Sequence, residues 1–207
     1  WPAGYATSYL IVIKLKLKNQ NQTLRSMRKI NQIFYSLQGE GFYTGRAAVF
    51  IRFSGCNLKC SFCDTEHEEG TLMSDEEILE AISAYPSDMV ILTGGEPALW
   101  IDKAFIDMLH KAGKYICIET NGTRPLPKGI DWVTCSPKEG APLKIDHMDE
   151  VKVVYLGQDL SSYIKLPAKY HFLQPCSCRN TMEIVNYILQ HPEWQLSLQT
   201  HKLIDIA

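Results

Sequence analysis

No apolar run in this chain is long enough to cross a bilayer. The strongest early one, residues 9–13, gives way at once to lysines at positions 14, 16 and 18, whereas a secretory signal carries its charge before the apolar stretch. Neither sign of charge dominates: 21 Lys and Arg against 23 Asp and Glu leave a formal net charge of -2, and no basic run stands out. That balance excludes a protein that grips nucleic acid mainly through its phosphates, so neither a membrane nor direct nucleic acid is expected as a partner. No internal repeat, low-complexity tract or long linker marks a second domain. The cysteines form no even framework either. There are seven, three of them within the span 56–63, which argues against a secreted disulfide scaffold and for a reducing cytoplasm.

What is present is a composition 45% apolar, enough for one core in 207 residues. β-rich runs at 29–34, 47–53, 89–93, 115–119, 132–135, 151–155, 171–174 and 195–199 alternate with helix-like segments, the rhythm of an α/β protein with a mostly parallel sheet. Ser74-Asp75-Glu76-Glu77 reads as a capping box, opening a helix whose buried face is Ile78, Leu79 and Ile82. Further helices are expected over 101–112, stopped by Gly113, and over 181–190, with Asn180 as cap and Pro192 beyond the end. So few helices for so many strands imply an abbreviated barrel.

The chemistry is concentrated after the second strand. Cys56-Asn57-Leu58-Lys59-Cys60-Ser61-Phe62-Cys63 has the spacing C-x3-C-x2-C on a loop at a strand's C-terminal end. A closed zinc or iron–sulfur site takes four protein ligands; three thiolates on a cubane leave one iron free for a small molecule. The bland alternatives are a zinc site completed by His67, or chance. Thr93-Gly94-Gly95-Glu96-Pro97 ends another strand, where glycines let the main chain approach a ligand closely. Glu119-Thr120-Asn121-Gly122, Ser136-Pro137-Lys138 and Gln174-Pro175-Cys176-Ser177 end three more, the face where parallel barrels bind ligands. Cys117 and Cys135, inside apolar strands, read as inert core thiols. Cys176 and Cys178 lack visible partners for a second metal site.

The cysteine trio with its preceding aromatic, together with the Gly-Gly-Glu-Pro segment, resembles the radical S-adenosylmethionine superfamily. The resemblance implies a partial TIM-like barrel, a 4Fe-4S cluster on Cys56, Cys60 and Cys63, and S-adenosylmethionine near Phe62, Cys63, Asp64, Gly95, Ser136, Pro137, Lys138, Gln174 and Pro175. The segment Phe34-Tyr35-Ser36-Leu37-Gln38-Gly39-Glu40-Gly41, then Phe50-Ile51-Arg52-Phe53-Ser54-Gly55-Cys56, Cys63-Asp64-Thr65 and the closing Ser197 to Lys202 stretch resemble the 7-carboxy-7-deazaguanine synthase family within it. That resemblance implies a radical ring contraction of 6-carboxy-5,6,7,8-tetrahydropterin to 7-carboxy-7-deazaguanine with loss of ammonia, on the route to queuosine. It places substrate at Leu37, Gln38, Gly39, Glu40, Arg52, Thr93 and His201, and Mg2+ on Thr65. It also implies a homodimer and an electron donor such as flavodoxin or ferredoxin. Residues 1–26 have no counterpart in the family and are expected to be an extension outside the natural domain, with Met27 the natural start and 27–207 the radical-SAM core domain. Two rivals remain: a glycyl-radical-enzyme activase, which would not need Gln38, Glu40, Arg52 and Thr65, and a non-catalytic zinc module that binds RNA or protein.

Overall fold

The computed structural model describes residues 27–206. The readings for residues 1–26 lie outside the described residues. One nine-stranded sheet organises the rest: β1 (Met27–Leu37), β2 (Ala47–Phe53), β3 (Thr71–Ser74), β4 (Met89–Gly94), β5 (Tyr115–Thr120), β6 (Trp132–Cys135), β7 (Glu150–Tyr155), β8 (Tyr170–Pro175) and β9 (Gln195–Leu196), in the order β3-β1-β2-β4-β5-β6-β7-β8-β9. β1 runs antiparallel to both its neighbours, and every pair from β2 onward is parallel. The helices are α1 (Asp75–Ser83), α2 (Lys103–Lys111), α3 (Thr181–Gln190) and the single turn α4 (Thr200–Leu203). The sheet is the open, partial barrel that the strand-to-helix ratio implies.

Strand alternation divides the interior in two. One face carries Val49, Ile51, Phe53, Val90, Leu92, Ile116 and Ile118 against Ile78, Ile82, Phe105, Leu109 and Ile184 of the helices. The other lines the barrel. Its closed end is filled by Phe50, Met89, Ile91, Cys117 and Trp132. Phe42 seals that end by stacking on Trp132, ring centroids 4.8 Å apart. At the open end the same inward face turns polar, with Arg52, Thr93, Glu119, Lys152 and Gln174 near the strand ends. No helix among the described residues is long and apolar enough to cross a membrane.

Three elements differ from the sequence reading. β1 extends to both sides of 29–34, because Met27 to Ile30 also pair with the unforeseen β3 and Tyr35 to Leu37 continue the ladder with β2. β9 ends at Leu196 rather than 199: the Ser197 hydroxyl donates to Gln174 Oε1 at 3.0 Å and accepts from Gly41 N at 2.9 Å, turning the chain off the sheet. Asn180 occupies the N-cap position of α3 but does not cap it, since its side chain accepts from Cys176 N at 3.1 Å and donates to Tyr155 O at 3.0 Å. The capping box at Ser74 forms as read, with both reciprocal bonds to Glu77.

Candidate active site

The thiol loop is a long excursion between β2 and β3, closed at its base by main-chain and side-chain bonds. Gly55 N donates to His67 O at 2.6 Å, the Ser54 hydroxyl donates to Glu69 O, and the Lys29 ammonium donates to Glu68 O at 2.6 Å. On its other flank the Asn57 amide donates to Thr123 Oγ1 at 2.8 Å and accepts from Asn121 at 3.1 Å. Glu68 and Glu69 point their side chains to solvent, as their run of charge suggested. All seven cysteines are free thiols. Burial pushes Cys56 up from the ordinary thiol range, and Cys135 up to about 12. Cys135 and Cys117 are core thiols, 0% and 4% exposed.

The end of β4, packed beside the end of β2, explains the glycine pair. Gly94 has φ +113°, and a Cβ there would stand 2.4 Å from Phe53 O. At Gly95 a Cβ would stand 1.9 Å from Gly55 O, so any side chain forces the two strand ends apart. Gly95 N donates to Phe53 O at 3.0 Å, and Glu96 N donates to Gly55 O at 2.9 Å. Glu96 is fully buried; its carboxylate accepts from Thr120 Oγ1 at 2.7 Å, Asn121 N at 2.8 Å and Ala98 N at 3.0 Å. Burial outweighs those donors and raises its pKa.

Two adjoining clefts open at the C-terminal ends of the parallel strands. The first, about 980 Å³ including its open mouth, is lined by Cys56, Cys60 and Cys63, with Phe62, Asp64, Thr65, Gly95, Ser136, Lys138, Gln174 and Pro175. Pro137 is the exception: it lines two further clefts that share Lys138 with the first. The Lys138 ammonium donates to Ser136 O and Oγ, both at 2.7 Å, and lies over the Phe62 ring. Burial lowers its pKa. Cys176 and Ser177 also reach this cleft. The second cleft, about 710 Å³, is lined by all seven residues expected at the substrate: Leu37, Gln38, Gly39, Glu40, Arg52, Thr93 and His201. His201 arrives there because Thr200 N and Oγ1 donate to Gly39 O at 2.9 and 3.0 Å, docking α4 on the loop after β1. Arg52 Nη1 donates to Thr65 Oγ1 at 3.4 Å.

Glu40, Asp64, Thr65, Glu119 and Gln199 line both clefts and form the wall between them. Glu119 accepts from Thr93 Oγ1 at 2.8 Å and Gln38 Nε2 at 3.1 Å; Gln199 Nε2 donates to Glu40 Oε1 at 2.9 Å and Asp64 Oδ2 at 3.0 Å. Lys152 ion-pairs with Glu40 and, at 3.4 Å, with Glu119. Burial works against the Lys152 ammonium, but the carboxylates of Glu119 and Glu40 prevail and hold its pKa above the ordinary lysine range. Glu119, Lys152 and Gln199 were given no site role in the sequence reading, although Glu119 and Gln199 fell within motifs it quoted. A lysine within the apolar run Val151-Lys152-Val153-Val154 was the signal available for one of them.

A loop of three free thiols whose base is locked by a Gly-Gly-Glu turn, at the mouth of a partial parallel barrel, is the arrangement of a radical S-adenosylmethionine enzyme. Residues 50–159 match the family described as the Radical SAM superfamily, and the chain belongs to it. The curated relatives narrow the class. The chain is 72% identical to 7-carboxy-7-deazaguanine synthase of Bacteroides thetaiotaomicron over 87% of this chain and 99% of that protein. It is 40% identical to the protein of the same name from Bordetella pertussis, over 86% and 98%. The crystal structure of QueE from Escherichia coli superposes with a TM-score of 0.71 at 28% identity, covering 87% of this chain and 97% of that one. The chain therefore belongs to the 7-carboxy-7-deazaguanine synthase family.

Proposed function

We propose that the protein contracts 6-carboxy-5,6,7,8-tetrahydropterin to 7-carboxy-7-deazaguanine with release of ammonia, in the biosynthesis of queuosine and related 7-deazapurines. The observation that supports this most is the pair of adjoining clefts, one bearing three thiols and the other every side chain expected at the pterin. When bound, a 4Fe-4S cluster with S-adenosylmethionine supplies one-electron cleavage of the sulfonium and, through it, hydrogen abstraction from the substrate. The chain suits that group: its three thiols share one loop and line one cleft together with the Gly94-Gly95 main chain.

The protein's own work is binding and orientation. Cys56, Cys60 and Cys63 hold the cluster. Phe62, Asp64, Gly95, Ser136, Lys138, Gln174 and Pro175 enclose S-adenosylmethionine, with Pro137 backing Lys138. Gln38, Glu40 and Thr93 meet the polar edge of the pterin, Leu37 and Gly39 its face, and Arg52 and His201 its anionic side. Thr65 would hold Mg2+ near the substrate carboxylate; a hard hydroxyl oxygen suits that ion. Its hydroxyl makes only long contacts, 3.4 Å from Arg52 and 3.5 Å from Asp64. The protein works as a homodimer in the cytoplasm, a setting that suits its free thiols, with a flavodoxin or ferredoxin as electron donor.

Replacing single ligands tests the assignment. Cys60→Ala abolishes both cluster assembly and ammonia release, whereas Thr65→Ala keeps the cluster and loses the response to magnesium. Equal loss of cluster in both variants contradicts these roles.

A further inference from the structure

Lys152 sits mid-strand in β7, on the first-cleft side of the wall, and is only 5% exposed. An ammonium cut off from water persists only where opposite charge and hydrogen-bond acceptors surround it. Two carboxylates do so, and each leads on to the pterin cleft. Glu40 lines that cleft itself; Glu119 holds the Gln38 amide and the Thr93 hydroxyl at 3.1 and 2.8 Å. One buried cation thus orients three of the polar side chains assigned to the substrate.

We propose that Lys152 is the positioning residue for the pterin: by pairing with Glu40 and Glu119 and holding both carboxylates in place, it maintains the inner end of the cleft as an acceptor surface for the N–H groups of the substrate's pyrimidine ring. This rests on the ring-contraction reading. Without the ammonium, Glu119 loses the charge that holds its carboxyl below the ordinary range against burial, takes up a proton and turns from acceptor to donor. The other charged groups that act on Lys152 do not replace it. Glu150, two residues earlier on the same face, is engaged by Phe42 N and Thr134 Oγ1, both at 2.9 Å. Lys138, across the first cleft, is bound to Ser136. Asp64, on the far side of Gln199, pairs with Lys202.

The experiment compares wild type, Lys152→Met and Lys152→Arg as reconstituted holoenzymes. It reads KM for the pterin and for S-adenosylmethionine, and the protons exchanged on pterin binding, by calorimetry in two buffers of different ionisation enthalpy. Lys152→Met raises the pterin KM roughly ten-fold or more while leaving the S-adenosylmethionine KM within about two-fold. It also couples pterin binding to release of about one proton near neutral pH, which wild type does not do. Lys152→Arg restores most of the pterin affinity. Where Lys152→Met does not fold, Lys152→Gln is read by the same criteria. An unchanged pterin KM, or a parallel loss of both affinities without proton release, overturns the proposal. Failure of wild type to convert the pterin overturns the ring-contraction reading instead.

Discussion

At the scale of single residues, the contact between Gly95 and the Gly55 carbonyl leaves no room for a methyl group, so Gly95→Ala tests the first cleft most sharply. The added methyl displaces the Gly55–Cys56 main chain that carries the first thiol, so iron and sulfide content is measured alongside. Its affinity for S-adenosylmethionine falls roughly ten-fold, about 1.4 kcal/mol, measured by equilibrium dialysis. Wild-type affinity would refute the role given to this backbone. Asp64 offers a test by pH. Burial acts to raise its pKa, but the Lys202 ammonium and the Gln199 amide outweigh burial and hold it below the ordinary carboxylate range. A carboxyl with a depressed folded pKa stabilises the fold above its unfolded value, and that stability is lost as pH falls through the folded value. Asp64→Asn should therefore flatten the acid limb of a thermal-melting profile and leave the neutral region nearly level. An acid limb as steep as that of wild type counts against the Lys202 pairing. The cysteines and the seven residues of the second cleft were legible in sequence because each belongs to a local motif. Lys152 was not, since its carboxylate partners lie 33 and 112 positions away; Glu119 and Gln199 fell within quoted motifs, but nothing local announced their bonds to Gln38, Lys152 and Glu40.

At the scale of elements, two local devices decide how the first helices attach. The Ser74 box satisfies backbone donors at the start of α1, so Ser74→Ala should cost about 1 kcal/mol in urea unfolding. Arg28 joins β1 to both α1 and α2: it is 2% exposed, pairs with Asp75 at 2.6 Å and Asp102 at 3.3 Å, and lies over the Phe105 ring. Removing it leaves the part-buried Asp75 carboxylate unpaired, and Arg28→Ala should cost about 3 kcal/mol. A loss below about 1 kcal/mol would show that water reaches this pocket. Parallel strands such as β4 and β5 were readable because they are buried on both faces and run as unbroken apolar stretches. β3 escaped because Thr71 and Leu72 are exposed and four residues give too little alternation to recognise. The 197–199 tail mimics a strand in pattern, and only the bonds of Ser197 to Gln174 and Gly41 reveal that it turns away.

At the scale of the molecule, the inward strand face passes from an aromatic floor to a polar rim, with the thiol loop folded over one side of that rim. The parallel order places five strand ends on one edge, and this brings Cys56, Gly95, Glu119, Ser136 and Gln174 together from widely separated parts of the chain. Alternating βα rhythm predicted that edge; the wall of crossed charges dividing it into two chambers could come only from the folded arrangement. The central claim is that one chamber drives chemistry on a pterin held in the other. Its most direct test is anaerobic. The iron- and sulfide-reconstituted protein is given dithionite, S-adenosylmethionine, magnesium and 6-carboxy-5,6,7,8-tetrahydropterin, and products are identified by mass spectrometry. The account predicts 7-carboxy-7-deazaguanine in wild type and none in Cys60→Ala; 5'-deoxyadenosine without the deazaguanine, or no cluster at all, would contradict it.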